Sequence, residues 1–150
     1  VDAIDRQILA ELQLDGRLTV TDLAARVRLS LSPCHRRLRD LEKAGAIRGY
    51  RAVVDPVALG LTFEALVFIT MRQEDRDTVA QFEAALAGLP QVVQAQRLFG
   101  DPDYLLRVVT KDLEAYQQLY DEHLATLPGV QRLSSTLVMK QIVDARPLPT

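Results

Sequence analysis

Few folds can accommodate the stretch from Leu29 to Tyr50, LSLSPCHRRLRDLEKAGAIRGY. Ser32-Pro33 reads as a helix start. A serine oxygen accepts from the free N–H groups of a first turn, and a proline there gives up no hydrogen bond. Cys34, Leu38 and Leu41 follow at i, i+4 and i+7, so they share one buried face, where Cys34 packs as a small apolar residue. Gly45 reads as the stop, in the left-handed position that glycine takes without strain. The opposite face carries Arg36, Arg39 and Lys43, flanked by His35 and Arg37. A short helix that is apolar on one side and basic on the other, led by small hydroxyl residues, suits a DNA major groove. Taken alone it would read first as a solvated surface helix; the residues before it change that.

Asp5 to Leu14 reads as a first helix, with Ile4, Ile8, Leu9 and Leu12 at helical spacing, Asp2 or Asp5 as its cap, and Asp15-Gly16 as its end. Thr19 and Asp22 have capping-box spacing, and Leu23, Ala24 and Val27 line one face of a short second helix. A tight link, Arg28 to Leu31, leads into the Ser32 helix. Three short helices with a brief turn between the last two make the helix-turn-helix plan, in which the final helix enters the groove.

The 150 residues are 48% hydrophobic and 25% charged, ordinary for a soluble globular chain. No apolar run is long enough to span a membrane, and the acids in VDAIDRQILAEL are unlike a signal peptide. A single cysteine allows no internal disulfide and agrees with a cytoplasmic setting. The net charge of −2 is unevenly spread. Residues 1–54 hold ten Lys/Arg and seven Asp/Glu, and residues 55–150 hold eight and thirteen. A basic front and an acidic rear predict two jobs.

The domains expected are 1–45 (helix-turn-helix), 46–62 (a connecting strand and hinge, ordered because it is not Gly/Ser-rich) and 63–150. In the last, Glu64–Arg72 alternates as a strand, with Ala65, Val67, Ile69 and Met71 facing one way and Leu66, Phe68 and Thr70 the other. An amphipathic helix over 77–87, a strand over 92–99, a Gly100–Asp103 turn and a strand over 104–110 follow. A helix capped by Asp112, a strand region over 130–143 and a tail complete the chain. The order is βαββαβ, the ferredoxin-like split-βαβ plan, so the fold class is α+β. With both helices on one sheet face, the other is bare. Apolar residues there, Val67 or Phe68 and Val108 or Leu106, predict a sheet-to-sheet homodimer.

With both halves read, the chain resembles the Lrp/AsnC family, the feast/famine transcriptional regulators. The matching stretches are IDRQILAELQLDGRLT (4–19), DLAARVRLSLSPCHRRLRDLEKAGAIRGY (22–50), VVDPVALGL (53–61), FGDPDYLLRV (99–108) and LPGV (127–130). The resemblance implies a winged-helix-like DNA-binding domain followed by an effector-sensing domain. It further implies dimers that often assemble as octameric rings, and an amino acid as effector. Arg28 departs from the glycine common before the LS pair.

For double-stranded DNA, the candidates are Ser30, Ser32, His35, Arg36, Arg37 and Arg39, with Thr21 and Arg51 as phosphate contacts. For the effector, the resemblance points to Gly100, Asp101, Asp103 and Tyr104, with Phe99 beside them, and to Ser134, Ser135 and Thr136. Asp103 or Asp101 suits an ammonium, and the hydroxyls or the N–H groups near Gly100 suit a carboxylate. Leu98, Phe99 and Leu133 tilt the preference towards a nonpolar amino acid. Without the resemblance, the same residues read as a plain hairpin and strand. Neither histidine, His35 nor His123, sits in a metal-ligand cluster, and no phosphate-cradling glycine loop appears. Neither an enzyme nor a cofactor is therefore expected. The competing reading is a ligand-binding assembly module, or a ferredoxin-like enzyme, with no DNA role.

Overall fold

The computed structural model describes residues 1–72 and 74–150. The chain forms two compact units: Val1–Val53 together with Ile142–Thr150, and Val54–Gln141.

In the first unit, α1 spans Ala3–Leu14, α2 Val20–Arg26 and α3 Leu31–Lys43. Asp2 is the α1 cap. Its carboxylate accepts from the Asp5 N–H at 2.8 Å, and Asp5 returns the bond at 3.1 Å, a reciprocal capping box. Thr19 Oγ1 caps α2 by accepting from the Asp22 N–H at 3.1 Å. The third helix starts two residues earlier than its sequence suggests. Ser30, not Ser32, is the cap residue, and its carbonyl takes the first helical bond, from the Cys34 N–H at 3.2 Å. Pro33 still falls in the first turn, where no N–H has a helical acceptor. Gly45 closes α3 at φ +77°, donating to the Glu42 carbonyl, while Ala46 donates to the Leu41 carbonyl. That pair of bonds is the Schellman motif. Ile8, Leu23, Ala24, Val27, Cys34, Leu38 and Leu41 form the core. Burial pushes the Cys34 thiol up, away from the reactive thiolate.

The tail returns to this unit. The Gln13 amide donates to the Leu148 carbonyl at 3.2 Å and accepts from the Leu148 N–H at 2.6 Å.

The second unit opens on a 3-10 turn, Pro56–Leu59, capped by Asp55. The expected connecting strand before it does not form. Residues 51–55 run without a ladder partner, and a strand needs one. Then come β1 (Phe63–Met71), α4 (Arg76–Ala87), β2 (Val92–Arg97), β3 (Tyr104–Thr110), α5 (Leu113–Glu122) and β4 (Val130–Leu137). The antiparallel sheet has the order β2-β3-β1-β4. The last strand ends well before residue 143, because its partner β1 begins at Phe63; the final ladder bond runs from the Val138 N–H to the Glu64 carbonyl. Ala65, Val67, Ile69, Met71, Leu106 and Val108 pack with Phe82 and Leu86 of α4 and Tyr116 and Leu119 of α5, so both helices cover one face. Register assigns the other face: Leu66 and Phe68 of β1, Leu105 of β3, and Ser134 and Thr136 of β4. Val67, Leu106 and Val108 belong to the covered face.

Candidate DNA-binding and effector-binding sites

Helical spacing carries Ser32, His35, Arg36, Arg39 and Lys43 onto one exposed face of α3, where they line an open concavity of about 790 Å³ with Asp40 and Glu42. Neither Arg36 nor Arg39 makes an ion pair with the described residues. Arg37 differs. Its Nη1 lies 2.7 Å from Asp2 and 3.0 Å from Asp5, so it ties α3 to the start of α1. Hydrogen bonds from Asp2 and Asp5 hold the guanidinium above its ordinary value. The Asp2 carboxyl is lowered, first by the Asp5 N–H and then by Arg37. Arg37 is therefore tied to the start of α1 within the unit, unlike Arg36 and Arg39. Thr21 is exposed in the first turn of α2, Ser30 is exposed at the α3 cap, and Arg51 is exposed beyond α3. Two contributors were missed as site residues. Lys43 follows Ser32, Arg36 and Arg39 in the same spacing, a signal already in the chain. Tyr50 donates to Glu42, the residue before Lys43, at 2.9 Å. Burial, then Glu42, pushes the Tyr50 hydroxyl up to about 12.

The turn from Arg28 to Leu29 holds Arg28 at φ +58°, the conformation in which glycine is common. Leu29 donates to the Ala24 carbonyl at 2.9 Å across it.

In the second unit the eight candidate effector residues divide. Phe99, Gly100 and Asp101 stand exposed at the β2–β3 turn, with Gly100 at φ +152°. Asp103 is half-buried and already engaged. Its carboxylate accepts from the Met71 N–H at 2.7 Å, closing the end of β1, and its own N–H donates to the Ile69 carbonyl at 2.9 Å. A hydrogen bond with Asp103 pushes the neighbouring Glu74 carboxyl up. Tyr104 is turned from the open face; it is buried, and its hydroxyl donates to Glu83 of α4 at 2.8 Å. Ser135 also faces the helices and meets the Tyr116 hydroxyl. Ser134 and Thr136 are exposed on the open face. Strand alternation, blind to the side a ligand needs, separates Ser135 from its neighbours. Ser134 and Leu105 flank Phe68 on either side of β1, about 10 Å apart by strand spacing. No group of three or more His, Cys, Asp or Glu among the described residues could hold a metal ion.

A helix-turn-helix unit with a bare basic helix face, joined to a βαββαβ unit, is the build of a two-domain DNA-binding regulator. Residues 1–48 match the family model of a winged helix-turn-helix DNA-binding domain, and residues 64–148 that of the Lrp/AsnC ligand binding domain. The chain is 39% identical to the leucine-responsive regulatory protein of Rhizobium meliloti over 97% of its own length and 93% of that protein's. It is 40% identical to the Bkd operon transcriptional regulator of Pseudomonas aeruginosa over 95% and 94%. A transcriptional regulator from Neisseria meningitidis, solved as a complex with L-Met, superposes with a TM-score of 0.94 at 36% identity, over 99% of this chain and 96% of that one. The chain belongs to the Lrp/AsnC family of transcriptional regulators, which are not enzymes.

Proposed function

We propose that this regulator reads its operator with the outer face of α3 and is switched by a nonpolar amino acid in the second unit. The observation that carries the DNA reading is that Arg36 and Arg39 are exposed and make no ion pair with the described residues, while Arg37 between them is spent. Free guanidinium groups suit bidentate contacts to guanine, with Ser32 and His35 beside them. Thr21, Ser30, Arg51 and Lys43 supply phosphate contacts, and with them most of the affinity. The protein acts on chromosomal DNA in the cytoplasm.

Two heads are needed to read two half-sites one helical turn apart. Leu66, Phe68 and Leu105, only partly covered on the open sheet face, favour a homodimer through that face, which builds further to an octamer. The effector sits at Gly100–Asp103 with Ser134 and Thr136. The turn and the two hydroxyls are exposed, so residues of more than one copy can hold it. The L-Met complex of the Neisseria relative and the leucine-responsive name of the Rhizobium relative support a nonpolar amino acid. Such a ligand changes DNA binding only by preferring one assembly geometry over another. A genome-wide binding selection with and without each of the twenty amino acids, paired with sedimentation, tests both halves. Expected is a defined operator motif, with occupancy and sedimentation shifted together by a nonpolar amino acid. Occupancy that responds to no amino acid overturns the effector reading, and unselective DNA capture overturns the operator reading.

A further inference from the structure

A separate opening lies between α4 and the edge strand β2. It is an open groove of about 440 Å³, lined by Glu83, Leu86, Ala87, Val92, Ala95, Arg97 and Tyr104. That volume falls within the range of small-molecule sites. Its polar groups converge on a single atom. The Arg97 Nε–H donates to Glu83 Oε1 at 2.6 Å, and the buried Tyr104 hydroxyl donates to the same oxygen at 2.8 Å. Arg97 Nη2 also reaches Oε1. The second carboxylate oxygen, Oε2, has no hydrogen-bond partner among the described residues, and neither does the outer edge of the guanidinium. Tyr104 and Arg97 together hold the Glu83 carboxyl below its ordinary range, so it stays ionised.

We infer that this opening is a second binding site, for a zwitterionic α-amino acid with a small to medium aliphatic side chain. A free carboxylate oxygen suits an ammonium group, and the outer N–H pair of an arginine suits a carboxylate in the bidentate manner. Because Glu83 and Arg97 already neutralise each other, the site favours a ligand of no net charge over an anion or a cation. Leu86, Ala87, Val92 and Ala95 offer an apolar wall to the side chain. The site is distinct from the Gly100–Asp103 turn and does not depend on it. The two are joined through one peptide bond, since Tyr104 seals this opening and Asp103 closes the end of β1. Occupancy here is therefore felt at the turn.

The test uses the full chain, perdeuterated with alanine methyls labelled for NMR. It is titrated with L-leucine, with 4-methylpentanoate (no ammonium) and with 3-methylbutylamine (no carboxylate). The Ala87 and Ala95 methyls are expected to shift saturably with L-leucine, with half-saturation below about 10 mM. Each half-ligand should bind about tenfold more weakly or worse, as loss of one charged hydrogen bond requires. Glu83→Gln and Arg97→Gln should weaken the leucine response similarly while circular dichroism stays unchanged. If either variant fails to fold, the other and the half-ligands carry the test. Half-ligands as potent as leucine overturn the assignment, as do variants that keep its affinity. Leucine shifts confined to methyls outside this opening overturn it too, and leave the turn reading intact.

Discussion

The two units place their arginines differently. In the sheet unit, Arg97 is bound to Glu83 and Arg107 to Glu64, while Arg72, Arg76 and Arg132 fall on or beside three different elements. In the helical unit Arg37 and Arg26 are likewise paired, with Asp2, Asp5 and Glu11, yet Arg36 and Arg39 are left open. Exposed pairs contribute little stability, so pairing is not the point of the contrast. A cation that the fold leaves unused, in line with others on one helix face, is free to meet an anion from outside. A cation held by the fold is not. Composition cannot register that difference, because adjacent residues, Arg36 and Arg37, fall on opposite sides of it.

The sharpest break of this comparison is at α3. Arg36→Ala and Arg39→Ala should each weaken operator binding by about 1–3 kcal/mol, roughly ten- to two-hundredfold, with thermal stability and sedimentation unchanged. Titrations of operator DNA at matched salt measure this. Parental affinity in both variants would remove α3 from the groove.

The sheet unit should respond in the opposite sense. Glu64 and Arg107 are mostly covered, with side chains 16% and 28% exposed. Arg107→Ala leaves that carboxylate with Gln141 and no cation among the described residues, and should destabilise the unit by about 1–2 kcal/mol. Thermal melting should show it, while the salt dependence of DNA binding by the still-folded protein keeps its slope. A slope reduced by about 0.9, the signature of one lost phosphate contact, would mean that Arg107 is not spent internally.

Arg37 tests the boundary between the two behaviours. Arg37→Ala should lower the stability of the helical unit, leave base preference unaltered, and blunt its acid sensitivity. The sign follows from Asp2. Its folded value is depressed, so its stabilisation is complete above the ordinary carboxylate value of about 3.9 and fades as the pH falls through the lower folded one. Without Arg37 that acid-side loss shrinks but persists, because the Asp5 N–H, the larger cause, remains. Melting curves between about pH 2 and 5 measure it. Unchanged melting together with altered base preference would return Arg37 to the groove.

Local periodicity made most of the fold legible. Helices α1 to α3, the βαββαβ order and the two faces of β1 are all visible as spacing, because each depends on neighbours within a turn or a strand. What stayed hidden depends on partners far along the chain. Arg37 meets Asp2 across 35 residues, and Gln13 meets Leu148 across 135, so neither the brace nor the tail's destination leaves a local trace. In LSLSP either serine can open a helix, and only the carbonyl that receives the Cys34 N–H decides. The 46–54 segment has strand composition, but a ladder needs a second strand, and none among the described residues pairs with it. In the candidate effector site the turn and the strand that carries Ser134 to Thr136 were readable. The facing of Tyr104 and Ser135 was not, since it is set by register against β1 and by hydroxyl partners on α4 and α5.

Arg28 gives the smallest predicted effect and the most local one. Its φ of +58° costs a residue with a Cβ about 1–2 kcal/mol, against roughly 0.5–1 kcal/mol of extra chain entropy that a glycine loses on folding. Arg28→Gly should therefore stabilise the helical unit by a net ~0.5–1 kcal/mol, a rise of roughly 2–8 °C for a unit of this size. Arg28→Ala removes the same charge and keeps the same strain, so it should melt with the parent. The difference between the two variants isolates the backbone from the cation. Any loss of DNA affinity that both share belongs to the charge alone, and would add Arg28 to the externally directed cations beside Arg36 and Arg39. Equal melting of the glycine and alanine variants would show that the turn between α2 and α3 carries no strain, and that the glycine common at this place in the family answers some other need.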